Sequence, residues 1–314
     1  MSLELLTIGR VSVDLYADEA GAAFTDPQHF SKSIGGTATN VAVAAARLGR
    51  RAAVFTKVGS DPFGDYVIAK LDDFGVDTRF VGRDERLRTP LAFAALTPPE
   101  DPELLFYREP EAPDMQLRPD DIDAAAAMDV PVLWVAGSAL ADDPARRTIH
   151  ELLTQRERRR HVIVDLDYRP MLWHAEREAS AVIGVAVGLA TTVIGNREEC
   201  RVAVGTDDAD EASDRLLERG VEVAVVKLGG DGVMVATADE RTVVPPRPVE
   251  VVCGLGAGDA FGGAYVHALL AGRSSIDAVA YGNAAGAIVA GRLLCADAMP
   301  TADDPNPMDG VTDE

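Results

Sequence analysis

Residues 253–266 read Cys-Gly-Leu-Gly-Ala-Gly-Asp-Ala-Phe-Gly-Gly-Ala-Tyr-Val. Glycines alternate at Gly254, Gly256 and Gly258, then Asp259 opens an apolar run that reaches Leu270. The β-branched residues of 248–252 come first, so the local reading is strand, glycine turn, helix. Such a turn aims the backbone N–H groups of Gly256, Ala257 and Gly258 at one point, and the helix dipole adds partial positive charge. That suits an anion, above all charge developing on a phosphoryl group in transfer. A carboxylate at the same place repels a resting phosphate. Asp259 makes chemical sense there as a base that takes the proton of an attacking hydroxyl. Taken alone, the stretch fits equally a glycine-rich turn whose Asp caps a helix.

A second glycine set lies in the first half of the chain, where Gly35-Gly36 is followed by Asn40, Gly49 and Gly59. Paired glycines let a polyol approach the backbone closely, and an Asn side chain both donates to and accepts from hydroxyls. A turn leading into the next helix explains the same residues as well. In order and spacing, the two sets together resemble the two signatures of the PfkB, or ribokinase-like, carbohydrate kinases, and the resemblance runs from about residue 5 to 301. It implies that Asp259 is the catalytic base and that Gly256, Ala257 and Gly258 form the anion hole. It also places Asp14, Gly35, Gly36 and Asn40 on the sugar.

Other segments carry over one by one. Asn196-Arg-Glu-Glu199 matches the family's Asn-x-x-Glu, which implies roles for Asn196 at the phosphates and for Glu199 at Mg²⁺ through water. A capped helix start explains these four residues too. Lys227-Leu-Gly-Gly-Asp-Gly232 resembles the segment that meets the nucleotide, implicating Lys227, Gly229 and Gly232. Asn283 falls in a segment resembling the helix beside the adenine pocket. ATP and Mg²⁺ are therefore the expected cofactors. Many relatives carry Asp-Thr where this chain has Cys253-Gly254, which leaves activation by a monovalent cation open. A dinucleotide fold fits poorly, because the glycines do not follow Gly-x-Gly-x-x-Gly and lie far from the first strand. No phosphate-binding loop ending in Gly-Lys-Ser/Thr occurs.

Two arginines point to an acidic sugar. Arg108, in Phe106-Tyr-Arg-Glu109, and Arg169, in Asp165-Leu-Asp-Tyr-Arg-Pro170, could hold a carboxylate through paired guanidinium bonds. Either one could instead pair with a neighbouring Asp or Glu. The strings around them, with Cys295-Ala-Asp-Ala-Met-Pro-Thr301, resemble those family members that phosphorylate keto-deoxy sugar acids at a terminal C6 hydroxyl. The candidates are the 5-dehydro-2-deoxy acid of inositol catabolism and, next, the 2-dehydro-3-deoxy acid. A neutral-sugar kinase of the fructokinase or ribokinase type is a further alternative. A regulatory protein of the same fold, binding a sugar or nucleotide without chemistry, is the non-enzyme alternative.

These residues need a scaffold of alternating strands and helices. Residues 5–8 read as a first core strand, continued by alternation through 11–15, while 16–33 are polar and irregular. Helices are expected at 41–48 and 61–74, with strands at 52–58, 80–81, 91–96 and 104–108. From residue 120 onward helix–strand units repeat, which means a mostly parallel sheet covered on both faces. The resemblance makes this the α/β, ribokinase-like three-layer sandwich: one kinase domain over 1–302, with a small β-sheet lid from about 12–35 and 86–112. Lids in this family often pair between subunits, so a homodimer is an open expectation. Residues 303–314 read as an acidic, disordered tail.

The chain has 314 residues, 47% hydrophobic and 26% charged, and a formal net charge of −21. Such a balance argues against nucleic acid or an anionic membrane as partner. The one basic run, Arg156 with Arg158–Arg160, reads as a solvated helix end. Three scattered cysteines lack metal-type spacing and suit a reducing cytoplasm.

Overall fold

A computed structural model of the chain describes residues 2–19, 24–96, 98 and 102–304. The chain opens with β1 (Leu5–Ile8), β2 (Ser12–Ala17) and β3 (Phe30–Gly35), then helix α1 (Thr37–Arg47). Next come β4 (Ala52–Gly59), α2 (Pro62–Asp73), β5 (Val81–Asp84), β6 (Leu91–Ala95) and β7 (Glu103–Tyr107). The regular half follows: α3 (Ala124–Asp129), β8 (Val132–Ala136), α4 (Ala145–Arg156), β9 (His161–Asp165), α5 (Glu176–Gly188) and β10 (Thr192–Asn196). It continues with α6 (Arg197–Val204), α7 (Ala209–Glu218) and β11 (Val223–Lys227). The strands β12 (Val233–Ala236) and β13 (Arg241–Val244) precede the last two helices, α8 (Ala257–Leu270) and α9 (Ser275–Ala290).

Nine strands form one sheet in the order β13-β12-β11-β10-β9-β8-β1-β4-β5. It is parallel from β11 to β5, and only the β11–β12 and β12–β13 pairings are antiparallel. Strand alternation sends successive side chains to opposite faces. Leu6, Ile8, Leu133, Val135, Val162 and Val164 enter one core cluster, with residues of α4, α5, α6 and α7. Leu5, Val132, Trp134 and Ile163 enter the other, under α1, α8 and α9. Burying each such aliphatic side chain contributes about 1.5–3 kcal/mol relative to exposure. Two apolar faces, each covered by helices, make the three layers. A second, four-stranded sheet of order β3-β2-β6-β7 stands apart from the first.

The structure departs from the sequence reading in several places. Residues 11–15 do not continue β1. The alternation is real, but β2 pairs with β3 and β6 in the small sheet. Strand β3 starts inside the segment read as irregular, because only its last three residues are buried and Ser31, Lys32 and Ser33 interrupt any apolar pattern. Residues 248–252 form no strand. Pro245, Pro246 and Pro248 remove ladder donors, and the N–H groups of Val252 and Cys253 bond instead to the Ala290 carbonyl. Arg156 is not solvated but 1% exposed. It donates to the carbonyls of Met128 at 2.5 Å and Val130 at 2.6 Å, binding α4 to the turn before β8. Most of the acidic tail expected at 303–314 lies outside the described residues. Within them, Asp304 pairs with Arg292.

Candidate active site

Two helix N-termini, α1 and α8, define the centre. Each starts from a glycine at positive φ, Gly36 at 101° and Gly256 at 80°. An L side chain is strained at such angles, and space forbids one as well. A Cβ on Gly36 would lie 2.2 Å from the Arg10 carbonyl, and one on Gly256 2.8 Å from Cys295 Sγ. Helix α8 begins at Ala257, so Asp259 sits in its first turn rather than ahead of it. The Ala257 N–H turns back to the Gly254 carbonyl at 3.4 Å. Those of Gly256 and Gly258 make no backbone hydrogen bond among the described residues. The N–H groups left free for an anion are therefore those of Gly256 and Gly258, with Ala257 partly engaged.

Asn40, one turn into α1, donates from Nδ2 to Asp259 Oδ2 at 2.7 Å. This bond ties the two glycine sets of the sequence into one site. Asn40 is buried, yet its Oδ1 has no hydrogen-bond partner among the described residues. Burial pushes the Asp259 carboxyl up to about 6; the Asn40 bond, Arg169 and Lys227 oppose the rise, and the Asp167 carboxylate adds to it.

The carboxyl ends of the parallel strands supply the rest, as expected for an open α/β sheet. Asp165 ends β9, Asn196 ends β10 and Lys227 ends β11, with Asn196 and Lys227 in register. Asn196 and Glu199 lock each other in a capping box: Asn196 Oδ1 accepts the Glu199 N–H at 2.9 Å, and Glu199 Oε2 accepts the Asn196 N–H at 2.7 Å. The capped start and the cleft position both hold for Glu199, since it also lines the cleft. Burial would lower Lys227, but the carboxylates of Asp165, Glu199 and Asp259 outweigh it and hold the amine above its ordinary range. Asp165 is pushed up by burial, against Lys227 and with the carboxylates of Glu199 and Asp167.

Asp14 lies on β2, in the small sheet, and accepts from Ser12 Oγ at 2.6 Å and Tyr16 Oη at 3.3 Å. Burial raises its carboxyl. Gly35 ends β3 in register with Ser12, two residues from Asp14, and any Cβ on it would meet Asp14 Oδ2 at 1.9 Å. Arg169 reaches Asp167 Oδ1 at 3.2 Å and Glu199 Oε1 at 3.8 Å. Arg108 behaves differently. It pairs at 2.5 Å with the fully buried Asp114, which also accepts the Val11 N–H at 2.8 Å. The structure does not bring Arg108 into the cleft lining.

Two hollows meet at Lys227 and Gly258. One, of about 250 Å³, is polar and holds Arg10, Asn40, Asp167, Arg169 and Asp259, with Leu104 and Phe106 of the small sheet facing it. The other, of about 580 Å³, is more apolar and contains Gly229, Gly232, Val249, Phe261 and Asn283. Asn283 Nδ2 donates to the Pro245 carbonyl at 2.8 Å, holding the proline-rich wall in place. Arg10, Asp165 and Asp167 escaped the sequence reading. Their positions just past β1 and at the end of β9 were the signal, because that edge of a parallel sheet is where ligands bind.

A sheet of this order, with a carboxylate in the first turn of a helix beside two adjoining hollows, one polar and one apolar, is that of a phosphotransferase of the ribokinase-like fold. The chain belongs to the pfkB family of carbohydrate kinases, which it matches over residues 2–302. It is 36% identical to a 5-dehydro-2-deoxygluconokinase of Photobacterium profundum, over 95% of this chain and 92% of that protein. Its identity to the enzyme of that name from Geobacillus thermodenitrificans is 32%, over 96% and 91%. Among solved structures, a fructokinase of Vibrio cholerae with fructose, ADP and calcium bound superposes with a TM-score of 0.85 at 30% identity, covering 96% of this chain and 97% of that one. A sugar kinase of Pyrococcus horikoshii in complex with ATP gives 0.80 at 26%, covering 96% of each. No helix among the described residues is long and apolar enough to cross a membrane.

Proposed function

We propose that this chain transfers the γ-phosphoryl group of ATP to the terminal C6 hydroxyl of 5-dehydro-2-deoxygluconate, a step of inositol catabolism. The observation that carries the reading is Asp259: a carboxylate with its pKa raised to about 6, in the polar hollow next to Gly258, where the two hollows meet, and beside unpaired N–H donors. A base tuned toward neutrality takes the hydroxyl proton as the oxygen attacks phosphorus, and the phosphoryl group leaves ADP for that oxygen. The Gly256 and Gly258 N–H groups and Lys227 stabilise the charge on the transferred group. Asn40 Oδ1, buried and unpaired, accepts a substrate hydroxyl, and Asp14 accepts another.

The larger hollow fits a nucleotide. Gly229 and Gly232 floor it, Val249 and Phe261 give it an apolar wall, and it opens on the anion-binding turn. The carboxylates of Asp165 and Glu199, crowded around the single ammonium of Lys227, fit a divalent cation. These two residues would hold Mg²⁺, which when bound neutralises charge on the phosphates. The small sheet would close over the sugar and exclude water. The test is ADP release with three acceptors side by side: 5-dehydro-2-deoxygluconate, 2-dehydro-3-deoxygluconate and fructose. A kcat/KM at least tenfold higher for the first supports the reading, and preference for fructose overturns it.

A further inference from the structure

The polar hollow has at its inner end a guanidinium whose donors the protein does not fully use. Arg10 follows β1 at the sheet's carboxyl edge. Its carbonyl accepts the Thr39 Oγ1 hydrogen at 3.0 Å, which fixes the residue against the start of α1. The side chain is 5% exposed and lines the hollow. Nε donates to Ser138 Oγ at 2.7 Å and Nη2 to Asp167 Oδ2 at 3.4 Å. Nη1 makes no hydrogen bond among the described residues. Arg169 takes the other oxygen of the same Asp167 carboxylate at 3.2 Å.

One carboxylate is thus shared between two guanidiniums. The charged groups that Arg10 feels most are Asp167, Arg108, Arg169 and Asp114. Asp114 is already spent on Arg108, Asp165 and Glu199 face Lys227, and Glu199 also stands 3.8 Å from Arg169. What the protein leaves unmet is the N–H capacity of Arg10 at Nη1. The N-terminus of α1, whose Gly36 and Thr37 line the same hollow and whose first turn holds no acidic residue, adds further positive potential. A buried guanidinium that shares its carboxylate and leaves N–H donors unused is costly unless a partner arrives. The partner that fits is a planar monoanion presented by a ligand.

We propose that Arg10, opposite Arg169, forms the clamp for the substrate's carboxylate, and that it, rather than Arg108, sets the preference for an acid over a neutral sugar. This rests on the substrate reading above and names the residue that enforces it. Asp167 and Ser138 hold the guanidinium in position, and Nη1 with one further N–H turns toward the ligand. Lysine keeps the charge but loses the fork.

The experiment compares kcat and KM of wild type, Arg10→Lys, Arg108→Lys and Ser138→Ala on two acceptors. These are the keto-deoxy acid and its analogue with a hydroxymethyl group in place of the carboxylate. Because both acceptors see the same folded fraction of each variant, the ratio of their kcat/KM values is insensitive to partial misfolding. Loss of a charge-assisted fork predicts a fall of about 10- to 100-fold in the acid/neutral ratio for Arg10→Lys, carried by KM. The ratio for Arg108→Lys stays near that of wild type. Should Arg10→Lys fail to fold, Ser138→Ala, which unhooks Nε, must still lower the ratio. Equal loss on both acceptors, a collapse with Arg108→Lys alone, or an unmoved ratio overturns the clamp. A wild type that prefers the neutral analogue overturns the substrate reading and the clamp together, and is thereby told apart from failure of the clamp alone.

Discussion

Replacing Asp259 by Asn should make the protein more stable while abolishing its chemistry. The carboxyl rises from an ordinary 3.8 to about 6 on folding. A shift of roughly two units corresponds to about 3 kcal/mol against the ionised form. Asp259 keeps partial access to the open cleft, so screening reduces this to about 2 kcal/mol. The sign follows from linkage: a folded pKa above the unfolded one means the ionised carboxylate opposes folding. That penalty is absent below pH 3.8, grows between 3.8 and 6, and is complete above 6. Asn cannot ionise, and its Oδ1 can still accept the Asn40 Nδ2 hydrogen, so it escapes the penalty without losing the bond. For a chain of this size the gain corresponds to roughly 4 °C in Tm at pH 8, shrinking toward zero near pH 4. Thermal melts of both proteins across that range, with ATP binding by calorimetry and turnover by ADP release, give the full test. Turnover should drop by at least about 100-fold, the usual contribution of a general base, with ATP affinity nearly unchanged. A melting difference that does not vary with pH, or near-normal turnover, would refute the reasoning.

Three further outcomes follow from the same geometry. In wild type, kcat/KM should fall about tenfold per pH unit below pH 6 as Asp259 takes up its proton, while Asp259→Asn shows no such limb in its residual rate. Gly256→Ala meets both a φ of 80° and a Cys295 Sγ at 2.8 Å. It should lose roughly 1–3 kcal/mol of stability in chemical denaturation, together with phosphoryl transfer. Asn283→Ala frees the proline-rich wall from its bond to the Pro245 carbonyl. KM for ATP should rise several-fold with KM for the sugar acid unchanged, a split that initial-rate kinetics would read directly.

What the sequence disclosed depended on how locally each feature is encoded. The helix–strand rhythm after residue 120 was legible because buried parallel strands are continuous apolar runs between amphipathic helices. Asp61-Pro62 and Gly75 marked α2 at both ends, through a side-chain cap and a glycine at φ 78°. Gly256 and Asp259 stood out as candidates because their local spacing recurs together with the Gly35–Gly59 set, although the turn alone fits a helix cap equally well. Asn40 was legible as a polar candidate, but its bond to Asp259 spans 219 positions and has no local trace. The same holds for Arg10, which acquires meaning only when Asp167 and Ser138 arrive from distant strand ends. For Arg108 the sequence showed a cation near the small sheet but not its pairing with the buried Asp114, which comes from contacts outside any local pattern. At residues 248–252 β-branched content outweighed the three prolines around it in the reading, and in the folded chain the prolines prevail.

The central claim is the identity of the acceptor oxygen and acid. It is tested most directly by incubating the protein with ATP, Mg²⁺ and 5-dehydro-2-deoxygluconate and recording the phosphorus and proton NMR spectra of the product. The account predicts a phosphate monoester coupled to the C6 methylene protons, formed in step with ADP. An ester at another carbon, or ADP released without any sugar phosphate, would contradict it.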